Sequence, residues 1–426
     1  MKSPYHSQVL LGLAVGLGVW IYVAWPNSGS VLVPSGIPVF ESSPVLSFDK
    51  AMLGEKGAEP RIANVQITDF DHDGQNEIIV ADISRRSVLL YNRTVKGTWE
   101  ESVIGKDLNV PARATVVDLD ADGDHDVVVA LLGDYLPSDE LVGSVVLLEN
   151  TGGQFVSHLL LDDVRRVADV QPGDLDADGD IDLAVAVFGY ARGEILWLEN
   201  MGEGIFRDHL LLSRPGVIHV PVADFDGDGD LDLATVVSQD EEEVWVLEND
   251  GSANFMPQRI YFTHNFDAGS GGLILVDLDK DGDDDFLLPW GDNLEVGRGW
   301  PQPYHGCIWL ENEGNWKFNS RRIGTFGGTY GAAPGDLDDD GDLDVVLVSM
   351  SNDWNDPSHE SVVWLENDGM QNFTTWKIDT TPVELITVDC GDVNGDGIDD
   401  IVAGGWKLPF GNPPVQRVTV WTSMTR

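Results

Sequence analysis

The sequence predicts an all-β fold: a seven-bladed β-propeller with four-stranded antiparallel blades, the ring closed by an N-terminal strand. Three observations carry this. An acidic nine-residue motif of the form D-x-D-x-D-G-x-x-D recurs seven times, at intervals of 49, 56, 50, 53, 59 and 56 residues, and such a sustained period marks a repeat architecture. Each copy sits in the same succession of short apolar runs, four per unit, as propeller blades require. The last unit is one run short, and a spare run precedes the first.

The elements follow in order within each unit. An apolar stretch leading into the acidic motif is strand A. Strand B comes directly after it, as in "VVVAL" (127–131) or "LAVAV" (183–187). A variable loop then leads to strand C, which ends in "WLEN" at Trp197–Asn200, Trp309–Asn312 and Trp364–Asn367. A Gly-containing turn of hairpin type follows ("NTGG", "NDGS", "NDGM"). Strand D has the pattern F-x-x-x-x-(I/L), as in Phe155–Leu160 and Phe318–Ile323. After residue 40 no segment has helical periodicity. The final run, "VTVWTSMTR", aligns with strand C, and "LSFDKAML" (46–53) is the expected strand D that completes the last blade.

Composition narrows the function. A chain of 426 residues that is 42% hydrophobic can bury a real core, while its net charge of −48 argues against a nucleic-acid partner, because phosphate contacts need Lys and Arg. Cys307 and Cys390 fit no metal spacing and are expected to be small buried apolar residues. The N-terminus differs from the rest. Val9 to Trp25 is uncharged, Lys2 precedes it, and no Lys or Arg follows until Lys50. That length is within the range of a membrane span, and the charge asymmetry places all that follows outside the cytoplasm. The expected organisation is a membrane anchor or signal segment (1–25), a linker (26–40) and a propeller (41–426). With no A-x-A cleavage site, an uncleaved anchor through 9–25 is favoured over a secreted form.

Carboxylates on alternate positions repel unless a cation gathers them. Oxygen donors at positions 1, 3 and 5, a Gly at 6, a backbone carbonyl at 7 and a carboxylate at 9 make a cage for a hard cation. Six to eight flexible oxygens suit calcium better than magnesium. The expected ligands are Asp69, Asp71, Asp73 and Glu77 in the first loop and Asp118, Asp120, Asp122 and Asp126 in the second. The third and fourth supply Asp174, Asp176, Asp178 and Asp182, then Asp224, Asp226, Asp228 and Asp232. The fifth and sixth supply Asp277, Asp279, Asp281 and Asp285, then Asp336, Asp338, Asp340 and Asp344. The last supplies Asp392, Asn394, Asp396 and Asp400, one charge fewer. Up to seven calcium ions are therefore expected, each a staple between strands A and B. The side chain at position 7 is expected to be solvated charge.

This motif, between strands A and B and at this period, resembles the FG-GAP or VCBS repeats of integrin alpha-chain propellers and many exported bacterial proteins. "FGGTYGAAPGDLDDDGD" (326–342) is nearest to the Phe-Gly and Gly-Ala-Pro pieces that name the family. The resemblance spans about residues 40–426 and implies calcium in each A–B loop and a binding rather than catalytic role.

Antiparallel strands put the A–B and C–D turns on one face and the B–C and D–A loops on the other. The second face carries the long, variable loops, where ligand binding is expected. Trp300, Trp354 and Trp406 lie there, and aromatic faces beside polar groups suit a glycan or a protein partner. Before each acidic loop, polar residues including Arg113, Asp169, His219 and Asp389 are expected to ring the channel, near Arg61, Arg165 and Arg166. Arg113 and His219 join the candidate ligand set. The leading reading is an extracytoplasmic, calcium-stabilised, non-catalytic module for binding or adhesion. The competing reading is a carbohydrate-active lyase or hydrolase using His219, Arg113, Asp169 and Asp389. No G-x-S-x-G or Ser-His-Asp signature is present.

Overall fold

The computed structural model describes residues 40–54, 59–136, 138–239, 241–265, 268–292, 301–408 and 415–425. These fall in the unit Gly36–Arg426; the preceding unit, Met1–Ser35, with the apolar run 9–25, lies outside the described residues. Among the described residues no helix is long and apolar enough to cross a membrane.

The strands form seven four-stranded antiparallel sheets, each in the order A-B-C-D. Blade 1 runs from strand A (Ile62–Thr68) through strand B (Glu77–Asp82) and strand C (Ser87–Arg93) to strand D (Trp99–Gly105). The seventh sheet takes strands A to C from Leu385–Gly391, Asp400–Gly405 and Val418–Thr425, and its fourth strand is Leu46–Leu53. The ring is thus closed by the N-terminal strand, as the unpaired run at 46–53 predicts.

Strand B explains its own composition. In blades 1, 2 and 4 to 7 every residue of it is buried. A strand central in its blade, with a neighbouring blade on each face, has no solvent side and reads as a continuous apolar run instead of an alternation. The core consists of seven such layers, one between each pair of adjacent blades. Ile79, Val88 and Ile104 of blade 1 packing on Ala114, Val127 and Val129 of blade 2 are an example. Cys307 is fully buried as expected, while Cys390 on the inner strand of blade 7 is half-buried, and both are free thiols.

One buried ion pair crosses the closing junction. The Arg417 guanidinium, at the start of strand C in blade 7, meets the Asp82 carboxylate of blade 1, and both are buried. Removing one partner leaves an uncompensated charge away from water, at a cost of roughly 3–5 kcal/mol. Asp82→Ala should therefore shift the urea midpoint strongly, whereas breaking the more exposed Arg85–Glu101 pair should cost about 1 kcal/mol or less. Equal shifts in the two variants would show that Arg417 finds another partner.

Candidate functional site

The seven acidic loops share one geometry. The glycine at position 6 has φ between +85° and +100° in every copy, from Gly74 to Gly397, a conformation that costs glycine no Cβ clash. Its N–H donates to the second carboxylate oxygen of position 1, at 3.1 Å for Gly74 to Asp69 and 2.7 Å for Gly397 to Asp392. Position 4 is left-handed as well, at His72, Ala121, Ala177, Lys280 and Asp339. The chain thereby turns its carboxylates inward. In Asp69/Asp71/Glu77, Asp118/Asp120/Asp122, Asp174/Asp176/Asp178, Asp224/Asp226/Asp232 and Asp277/Asp279/Asp285, the oxygens lie within 4.8 Å of one another.

Whether a cation fits is answered by the oxygens themselves. Oδ1 of Asp69, Asp174, Asp279 and Asp338 is buried and accepts no hydrogen bond. A buried carboxylate oxygen without a partner is costly, and in the loops of Asp69, Asp174 and Asp279 that oxygen's carboxylate lies in a cluster of like charges, which a hard divalent ion relieves. Positions 1, 3, 5 and 9 would hold it. The ion would supply charge neutralisation, and the loop residues themselves orient the oxygens.

Position 9 has a role that sequence spacing does not reveal. In the six loops with Asp there, its two oxygens accept from two backbone N–H groups, that of loop position 2 and that of a residue at or near the end of strand C. For Asp232 the donors are Phe225 N (3.0 Å) and Asn249 N (2.7 Å); for Asp400 they are Val393 N (3.1 Å) and Ser423 N (2.8 Å). The carboxylate ties the loop to strand C directly. Burial, opposed by these hydrogen bonds and reinforced by neighbouring carboxylates, pushes its pKa up to about 7 in Asp232 and Asp400, and for Asp344 to about 8. The "WLEN" asparagine completes the arrangement. Its side-chain amide donates to the carbonyl of loop position 8, as Asn150 does to His125 O and Asn200 to Ile181 O.

Position 7 departs from the expectation of plain solvated charge. Asp124 Oδ2 accepts from Gly152 N of the C–D turn at 3.1 Å. Asp230 and Asp342 sit so close to Gly251 and Gly369 that a Cβ there would come within 2.4 Å of a carboxylate oxygen. Glycine is favoured at these two turn positions by their left-handed backbone, with φ +73° at Gly251 and +71° at Gly369.

Position 8 links blades. Asn76 Nδ2 donates to Asp392 O of blade 7, His125 Nδ1 lies 3.1 Å from Phe70 O of blade 1, and Asp399 Oδ2 accepts from Asp336 N of blade 6. The identities vary too much for a repeat comparison to flag them.

The channel residues also have structural partners. Strand A is the inner edge of each sheet, so its backbone needs partners from the adjacent blade. In four blades they come from the side chain five residues before the loop: Asn64 Oδ1 accepts from Ala114 N, Asp169 Oδ2 from Val220 N, His219 Nδ1 from Leu273 N and Thr387 Oγ1 from Val65 N. Asp389 Oδ2 accepts from Ile67 N at 2.7 Å. The structure brings Arg113, Asp169 and His219 together, with Arg113 Nε 3.2 Å from Asp169 Oδ1. Burial and the nearby Arg113 charge push the His219 pKa down to about 4, so the ring is neutral at pH 7. These groups form an interblade girdle. Trp406 is bridged by its backbone to Arg61 and donates its N–H to Glu384 O at 2.7 Å. Trp354 is half-buried with a buried, unpartnered indole N–H, and Trp300 lies outside the described residues.

Fold and loops together define a seven-bladed propeller with one acidic cage per blade. The FG-GAP-like repeat model matches residues 69–129, 174–235, 224–288 and 336–403, and the chain belongs to that family, whose propellers are typically non-catalytic. Among solved structures the chain is similar to BBS1N in complex with ARL6DN, soaked with mercury. The TM-score is 0.56 at 11% identity, covering 90% of this chain and 98% of that one. The lead-soaked form of the same complex gives a TM-score of 0.54 at 11% identity, with the same coverage. At that identity the likeness speaks for the fold alone. No curated protein matches the chain by sequence.

Proposed function

We propose that this protein is an exported, calcium-stabilised binding or adhesion module, tethered through residues 9–25, that takes an oxygen-rich glycan or protein ligand on its B–C/D–A face. One observation supports the reading: among the described residues, the unpartnered buried polar atoms are mostly acceptors on one face and donors on the other. On the acidic-loop side they are chiefly oxygens, of Asp69, Asp174, Asp279 and Asp338 and of the amides of Asn92, Asn249 and Asn367. The two exceptions there, the indole N–H groups of Trp197 and Trp364, lie beside the carboxylates of Asp182 and Asp344. On the other side they are N–H and O–H groups, of Ser138, Arg165, Arg166, Trp290, His305, Ser351, Trp354, Arg417 and Thr419. Acceptors without donors ask for cations, and donors without acceptors ask for a ligand rich in oxygen.

His305 illustrates the second set. Its Nδ1 accepts from Gly328 N at 2.9 Å, so the proton sits on Nε2, which has no acceptor. Arg166 is 5% exposed and stacks over Phe188 at 4.3 Å. Burial pushes its pKa down to about 10.

A glycan array probed with and without calcium tests the proposal. Binding should need calcium and should weaken by about 30-fold, the equivalent of roughly 2 kcal/mol for an interface hot spot, when Trp300 and Trp354 are both changed to Ala. Calcium stoichiometry should be unchanged. A large fall in melting temperature in that double variant would assign the two tryptophans to packing instead.

A further inference from the structure

Two of the chain's nine histidines meet at the junction of blades 1 and 2, on the face of the acidic loops. His72 is position 4 of the first loop and His125 is position 8 of the second. Their ring centroids are 4.1 Å apart, with the planes inclined at 53°. Both rings line a groove of about 360 Å³, together with Asp71 and Asp124. Asp124 is position 7 of its loop, so its side chain is outside the calcium ligand set.

The tautomer of His125 follows from its surroundings. A carbonyl oxygen only accepts, and Phe70 O lies 3.1 Å from Nδ1, so Nδ1 carries the proton and Nε2 keeps its lone pair. A backbone carbonyl holding the second nitrogen in this way is the usual support of a metal-binding imidazole. His72 is exposed, and its ring can rotate. Two nitrogens each about 2.0–2.1 Å from one ion lie no more than about 4 Å apart, a separation these neighbouring rings can reach.

We propose that His72 and His125 form a site for a borderline divalent ion of the copper, nickel or zinc type, distinct from the calcium cages, with the Asp124 carboxylate beside it. Imidazole favours these ions, whereas carboxylate and carbonyl oxygens favour calcium, so the two kinds of site select different metals. The repeat makes this junction singular in sequence. The corresponding pairs elsewhere are Ala121 with Ile181, Ala177 with Leu231, Gly227 with Asp284, Lys280 with Leu343, Asp339 with Asp399 and Gly395 with Asn76. None contains an imidazole. An ion held by one residue from each blade would cross-link blades 1 and 2.

The repeat also supplies variants compatible with the fold. Ala121 and Ala177 hold the left-handed position that His72 occupies (φ +58° and +61°, against +59°), so His72→Ala keeps the loop. Asn76 makes an interblade hydrogen bond from the position of His125, to the adjacent carbonyl of the preceding loop, so His125→Asn keeps a donor there and removes the ligand. The experiment is a copper(II) titration of the full chain, without an affinity tag and in millimolar calcium, read by electron paramagnetic resonance. The expected result is one equivalent of copper with hyperfine structure from two nitrogens. Each variant should bind about tenfold or more weaker, since even outer-shell changes cost 10–100-fold, while His158→Ala, on the outer strand of blade 2, should bind as the parent does. The proposal is overturned if calcium-saturated protein takes up no copper, if the signal has no nitrogen coupling, or if both variants bind as the parent does.

Discussion

If calcium fills the seven acidic loops as proposed, chelation is expected to lower the melting temperature on the order of 10 °C. A ligand that binds only the folded state stabilises it by RT ln(1 + [L]/Kd), about 1.4 kcal/mol per site when the free ion is about ten times its Kd. Extracellular modules typically have a Kd of roughly 10⁻⁴–10⁻³ M. Seven sites filled at that ratio would contribute roughly 10 kcal/mol, as large as the net stability of an ordinary domain. Spread over the unfolding entropy of a chain this long, that is a shift of about 10 °C. Differential scanning calorimetry before and after chelation measures it, and isothermal titration should return close to seven ions. Melting unchanged in excess chelator would remove calcium from the account of stability.

The metal-free protein should also respond to pH in a definite direction. Burial holds the position-9 carboxyls Glu77, Asp232, Asp285 and Asp400 up at about 7 and Asp344 at about 8. A group whose pKa is higher folded than unfolded binds its proton more tightly in the folded state. Its contribution to stability is present below the ordinary carboxylate range near 4 and is lost as pH rises towards 7 to 8. Calcium-free protein should therefore melt higher at pH 5.5 than at pH 7.5. With calcium bound the trend should weaken or invert, because the ion competes with those protons. The same slope with and without calcium would mean that these carboxyls do not share a site with the ion.

What was legible in the sequence was what the repeat repeats. Strand B, buried on both faces, reads as an unbroken apolar run; the acidic loop reads as oxygens at fixed spacing; and the closing strand reads as a unit one strand short. The unread part consists of contacts between units. Position 8 joins three of the loops to the blade before them, through Asn76, His125 and Asp399, three different chemistries that no single motif covers. The polar ring of strand A was visible, but its purpose was not: Asn64, Asp169, His219 and Thr387 look like a ligand site in a list of residues. They become backbone acceptors once the inner strand is known to be a sheet edge facing the next blade. The position-9 carboxylate was legible as a candidate metal ligand, yet its bond to strand C depends on Asn249 or Ser423, 17 or 23 residues further along.

Deleting residues 41–54 is expected to abolish cooperative folding, while deleting 1–30 should leave a soluble, cooperatively melting propeller. The strand Leu46–Leu53 pairs along its full length with Val418–Thr425. Leu46 and Leu53 are buried, and losing two buried leucines removes about 3–6 kcal/mol. The segment also reaches beyond its own blade. Lys50 Nζ lies 2.7 Å from Asp379 Oδ2 of blade 6, and that carboxylate oxygen also accepts from Trp421 Nε1 at 2.9 Å. Glu41 O accepts from Lys377 N at 2.8 Å. Without it, strand C of blade 7 becomes an exposed edge with unpaired N–H and C=O groups, a template for association between copies, and Trp421 loses its cover. Because the first and last blades are held together by this strand, the loss affects the whole ring. Size-exclusion chromatography and thermal melts of the two deletions distinguish the outcomes, and a synthetic 41–54 peptide added in trans should restore the melt of the larger deletion. If both deletions gave the same monodisperse, cooperative propeller, the ring would have to be closed by contacts other than this strand.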